Sequence, residues 1–96
     1  MGTVRVALGL VELHLGEVAS LKGKRHALKG MKERVKNRFN VSVAEVDHED
    51  LWQRTTLAVA CVANDARHAN EVVSKAVHYI ESVTEGEVLD IHLEIL

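Results

Sequence analysis

Five basic residues at helical spacing carry the clearest chemical signal in this chain. Lys22, Arg25, Lys29, Lys32 and Lys36 recur at intervals of three and four, so on a helix they share one face. At 1.5 Å per residue the row runs for roughly 20 Å. Such a row suits a succession of phosphates, with binding that is salt-sensitive and largely blind to base sequence. Lys24 lies in the same stretch and joins the row as an expected phosphate contact. Without a ligand, the row is a solvated helix face balanced by the acidic remainder of the domain or by an acidic partner. Eight of the twelve basic residues and one acid, Glu33, fall between Lys22 and Arg38, a net +7, which leaves −9 on the rest of a chain whose formal total is −2. The domain is therefore bipolar rather than neutral.

The second cluster is EVDHEDLWQR, Glu45 to Arg54, where Asp47, His48, Glu49 and Asp50 crowd oxygen and imidazole ligands into one connection. Consecutive residues rarely converge on one ion, and no HExxH or paired CxxC spacing supports a metal. A polar hairpin turn is the expectation, with no metal and no cofactor. Trp52, the only tryptophan, is expected to anchor that loop by packing, and its neighbour Arg54 makes a partner surface of Asp47, His48, Trp52 and Arg54. His14 and His92 are expected to face each other across the first and last strands as surface histidines. Cys61, between Ala60 and Val62, reads as a small buried apolar residue. No nucleophile, base and orienting partner stand at recognisable spacing, and no phosphate-binding glycine loop is present, so no enzymatic activity is expected.

Hydrophobic periodicity supplies the elements that would position these groups. Val4, Val6, Leu8 and Leu10 alternate as a half-buried strand, and at Val11 the apolar parity switches to Val11, Leu13 and Leu15, which predicts a bulge near Gly9. Leu21, Leu28, Met31, Val35 and Phe39 form one helical stripe, with Ser20 as N-cap and Asn40 as a left-handed stop. Gly23 and Gly30 weaken that helix unless they admit another element closely. A strand follows from Val41 to Asp47, the turn spans His48 to Gln53, and a third strand runs from Thr55 to Ala63. Leu57, Val59, Cys61 and Ala63 share one of its faces, while Thr56, Ala58, Ala60 and Val62 make the other also largely apolar. Asn64 or Asp65 caps a second helix striped by Ala66, Ala69, Val72, Val73, Ala76, Val77, Ile80 and Val83, and Gly86 ends it. In the last strand Leu89, Ile91, Leu93 and Ile95 are expected inward and Val88, Asp90, His92 and Glu94 outward.

The order βαββαβ predicts an α+β, ferredoxin-like single domain over residues 1–96, with one four-stranded antiparallel sheet and two helices on one face. The opposite sheet face is then bare, and Ala58, Ala60 and Val62 offer an apolar patch that a second copy would cover. RNA-recognition domains of this topology stack bases on sheet aromatics. The strand TTLAVACVAN has none, so RNA contact is expected through helix phosphates rather than base stacking. Apolar content of 47% is enough to fold on packing alone, and one cysteine permits no internal disulfide, which suits a reducing compartment. The opening MGTVRVALGL does not read as a signal peptide and no apolar run reaches membrane-helix length, so a cytoplasmic protein without a membrane partner is expected.

At SLKGKR (Ser20 to Arg25) and RFNVSVAEVDHEDLWQR (Arg38 to Arg54) the sequence resembles the YlxP-like family, small bacterial domains of unknown function. Ser20, Leu21, Lys22, Lys24 and Arg25 match the first motif, with Gly23 at its variable position, and Asn40 through Arg54 match the second. The resemblance implies the ferredoxin-like fold and no established reaction. Members are often encoded near transcription-termination, translation-initiation and ribosome-binding factors, which implies an RNA- or ribosome-associated role. A functional surface is then expected where the start of the first helix meets the second hairpin. The structural counterpart is that SLKGKR docks the helix against Glu45 or Asp47.

Overall fold

The elements follow in the order β1 (Arg5–His14), α1 (Leu21–Arg38), β2 (Ser42–Asp47), β3 (Arg54–Ala63), α2 (Ala66–Val83) and β4 (Glu87–Ile95). They are seen in a computed structural model that describes residues 3–96, so the first two residues of the opening stretch lie outside the described part. The strands form one antiparallel sheet in the order β2-β3-β1-β4. Both helices pack on one face, which is the ferredoxin-like α+β fold. One apolar cluster joins Val11 and Leu13 of β1, Leu57 and Val59 of β3, Leu28, Met31 and Val35 of α1, and Val73, Val77 and Ile80 of α2. Among the described residues, no helix is long and apolar enough to cross a membrane.

Both helix starts are capped from the sequence in the expected way. The Ser20 hydroxyl accepts from the Gly23 amide at 3.0 Å, and the Asp65 carboxylate accepts from the His68 amide at 3.1 Å, satisfying donors that the first helical turn cannot pair internally. The helix ends differ from expectation. Asn40 is not left-handed; α1 ends on an extended Phe39, whose amide still donates to the Val35 carbonyl. Thr84, rather than Gly86, takes the equivalent position after α2. Gly23 and Gly30 admit no second element: a side chain at Gly23 would meet the Ser20 hydroxyl and Val18, and one at Gly30 nothing within 4 Å.

Two strands face the core otherwise than their alternation suggested. β1 keeps one parity throughout, turning Ala7, Gly9, Val11 and Leu13 toward the helices and Val6, Leu8 and Leu10 to the open face. There is no bulge at Gly9. Size decides the parity: a Cβ at Gly9 would stand 2.9 Å from Val73 Cγ1 and 3.0 Å from Val77 Cγ2, closer than packed carbons tolerate. The irregularity lies instead between β1 and β4, where Asp90 opposes Glu12 and Val88 opposes Leu13, leaving Leu89 unpaired. Val88, expected outward, therefore packs on the core, while Leu89 is 43% exposed. Leu93 and Ile95 keep the helix side, opposite Gly9 and Ala7. They remain partly exposed because α2 lies mainly over β1 and β3.

Candidate functional site

The basic helix and the β2–β3 hairpin meet through a buried ion pair. Lys24, 2% exposed, places its Nζ 2.8 Å from Glu45 Oε2 and donates to the His48 carbonyl at 2.6 Å. The Thr55 hydroxyl donates to the same Glu45 oxygen at 2.5 Å. Lys24 is thus corrected from phosphate contact to docking residue: its ammonium is committed inside the molecule. Its position could have been read from spacing, since Lys24, Leu28, Met31 and Val35 stand at intervals of four, three and four on the buried side of α1. Of the two docking partners expected for SLKGKR, Glu45 and Asp47, Lys24 takes Glu45.

The rest of the row stands as spaced. Lys22, Arg25, Lys29 and Lys36 are exposed, and Lys32 is half-exposed. Among the described residues, none of these five enters an ion pair with the acidic side of the domain. Arg25 and Lys32 line a groove of about 580 Å³ between α1 and β2, with Glu45 and Glu49 on its other wall. Arg38 is partly committed, its guanidinium 4.8 Å from the centre of the Tyr79 ring, a cation–π contact.

The hairpin residues divide into two groups. On the open sheet face, Arg54 is held by Glu12, its Nε donating at 2.8 Å and Nη2 making a second, short contact to the same oxygen. Asp47 is exposed, and its Oδ1 accepts from the His48 amide at 2.8 Å. His48 takes a left-handed backbone with φ 61, uncommon for a residue with a side chain. Its Nδ1 lies 3.0 Å from the Thr56 hydroxyl and its Nε2 4.0 Å from Glu12 Oε1. Thr56, His48 and Glu12 thus follow the order hydroxyl, imidazole, carboxylate, but at 4.0 Å the Glu12 oxygen stands beyond hydrogen-bond distance of the ring and accepts from Arg54 instead. Among the described residues, no group of three or more His, Cys, Asp or Glu side chains is placed to hold a metal ion.

Trp52 does not anchor the loop. It is 53% exposed, beside Leu51 at 44%. Both border a hollow of about 360 Å³, lined also by His14, Asp50, Gln53 and Arg54. The loop is fastened by hydrogen bonds instead: the Leu15 amide donates to the Gln53 carbonyl at 2.7 Å, the Leu51 amide to the His48 carbonyl at 3.1 Å, and the Gln53 side-chain Nε2 to the Gly16 carbonyl at 3.2 Å. With those bonds made, the indole is not needed inside. His14 and His92 share the open face but do not meet, since His14 opposes Glu87 and His92 opposes Leu10. Cys61 is buried as expected. Glu12 and Thr56 escaped sequence reasoning; Glu12 and Arg54 are far apart in the chain, and only the β1–β3 register brings them together.

These features define a small ferredoxin-like domain whose basic helix is clamped to a charged hairpin, leaving one sheet face open. Residues 6–93 match the family described as "Protein of unknown function (DUF503)", and the chain belongs to that family. It is 37% identical over 71 residues to the "Uncharacterized protein YlxP" of Bacillus subtilis (strain 168), covering 74% of this chain and 77% of that protein. Among solved structures it is similar to the "De novo designed protein Ferredog-Diesel", with a TM-score of 0.49 and 12% identity, covering 98% of this chain and 86% of the designed one.

Proposed function

We propose that this domain is a non-enzymatic binding module that holds RNA, free or within a ribosomal particle, by its phosphates along the outer face of α1. The observation that carries this reading is the row Lys22, Arg25, Lys29, Lys32 and Lys36, exposed or half-exposed and, among the described residues, without ion pairs on a molecule whose remainder is acidic. Five phosphate contacts on a single strand correspond to a salt slope of about −3.5, and losing two brings it to about −2. Pull-down of total RNA and ribosomal particles at two salt concentrations, with Lys29→Glu/Lys32→Glu alongside, tests this. Salt-sensitive retention by the parent and its loss in the variant are expected. A parent indifferent to RNA, or a variant that retains it as well as the parent, would end the proposal.

A second reading, self-association through the open sheet face, is favoured by the parity of β1. Val6, Leu8 and Leu10 lie on that face opposite Val62, Ala60 and Ala58, so two strands rather than one contribute apolar surface, and Val62 is 65% exposed. Such a patch is characteristic of contact sites. The mass measured by light scattering should then rise with concentration toward that of a dimer, and Ala60→Glu should hold it at the monomer. A concentration-independent monomeric mass for the parent would remove this reading.

A further inference from the structure

We propose that the hollow beside Trp52 is a base subsite, which takes one unpaired nucleobase of a single-stranded RNA whose phosphates run along α1; the inference deepens the RNA reading and rests on it. Trp52 is the only tryptophan and is 53% exposed. Its loop is nonetheless fixed to Leu15, Gly16 and Lys24 by backbone and side-chain bonds. The ring is presented on a supported loop, so little ordering cost remains to be met on binding.

The charges around the hollow favour a base over a phosphate. Arg54 is already neutralised by Glu12, and Asp50 borders the space, so a phosphate would meet a carboxylate without a free guanidinium. An uncharged ring instead covers the indole and Leu51, and stacking of this kind is tolerant of base identity. The Asp50 carboxylate accepts hydrogen bonds, as does a carboxylate facing the amino group of cytosine, so bases with an exocyclic amine are preferred to uracil. Lys24 ties α1 to the same loop, and Arg25 shares a groove with Glu49 of that loop. The phosphate row therefore begins at the end of the molecule that holds the hollow. The sheet carries no aromatic on β3, and the loop supplies the stacking surface the sheet lacks.

A sole tryptophan makes its fluorescence a reporter of this position alone. The experiment titrates the full chain with labelled oligoadenylate and oligouridylate, reading anisotropy and tryptophan emission together, with inorganic polyphosphate as a competitor that carries no base. Oligoadenylate should quench Trp52 more than oligouridylate, and polyphosphate should displace RNA without quenching. Trp52→Ala should weaken oligoadenylate binding by about 5- to 150-fold while leaving the salt slope and thermal melt as in the parent. RNA that binds by anisotropy with unchanged emission, and equally well to Trp52→Ala, overturns the base subsite and leaves the phosphate row standing. RNA that binds on neither readout overturns both.

Discussion

Lys24→Met should lower the melting temperature by at least about 12 °C. Removing one member of a buried pair costs about 3–5 kcal/mol, and each kcal/mol moves the midpoint of a domain this size by about 4–8 °C. The Lys24 ammonium is 2.8 Å from Glu45 and 2.6 Å from the His48 carbonyl. Without it, Glu45 keeps the Thr55 hydroxyl, and the left-handed turn at His48 loses its tie to α1. Glu45 is 19% exposed, so water relieves part of the penalty and the lower end of the range is expected. Replacing both partners, Lys24→Met with Glu45→Leu, should recover more than half of the loss, because an apolar pair leaves no charge stranded. Circular-dichroism melts of the two single variants and the double variant measure the coupling. Independent, additive effects would show that the pair does not hold the helix to the hairpin. The same variant separates docking from binding: a Lys24→Met protein still folded at low temperature should keep the salt slope of RNA retention.

α2 and β3 followed the sequence pattern. Asp65 and the stripe from Ala69 to Ile80 placed α2, and Leu57, Val59 and Cys61 oriented β3. β1 offered two apolar parities, and hydrophobicity could not choose between them. The choice fell to volume, because α2 needs Ala7 and Gly9 beneath it. β4 has a clean alternation broken by one unpaired residue, Leu89, and an insertion of that kind has no composition to mark it. The site divides along the same line. The exposed row on α1 follows from helical spacing, and Lys24 was separable from it because it falls in step with Leu28, Met31 and Val35. The exposure of Trp52 was not legible, since it depends on whether the loop can be fastened without the ring. The bonds that do so reach back to Leu15 and Gly16.

Gly86→Ala should also be strongly destabilising, at or above the top of the range of about 1–3 kcal/mol typical of overpacking, with a fall in Tm of about 12 °C or more. A Cβ there would stand 1.8 Å from the His14 carbonyl oxygen, 2.9 Å from its carbon and 3.1 Å from Leu15 Cα. All three are backbone atoms, so no side-chain rotation can make room. The cause is space rather than dihedral angle, because among the described glycines Gly16 is the one with positive φ. Gly30→Ala is the matched control: nothing lies within 4 Å of its Cβ, and removing a mid-helix glycine should raise stability by about 0.5–1 kcal/mol. Opposite signs in the two melts are the expected result, and a Gly86→Ala protein as stable as the parent would mean that β4 does not enter the sheet this close to β1. The strain would not stay local. His14 borders the Trp52 hollow, and the Leu15 amide holds the Gln53 carbonyl, so pushing this backbone outward displaces the loop that presents the indole. Gly86→Ala should therefore alter tryptophan emission in the folded protein at low temperature, before any unfolding, whereas Gly30→Ala should leave it unchanged.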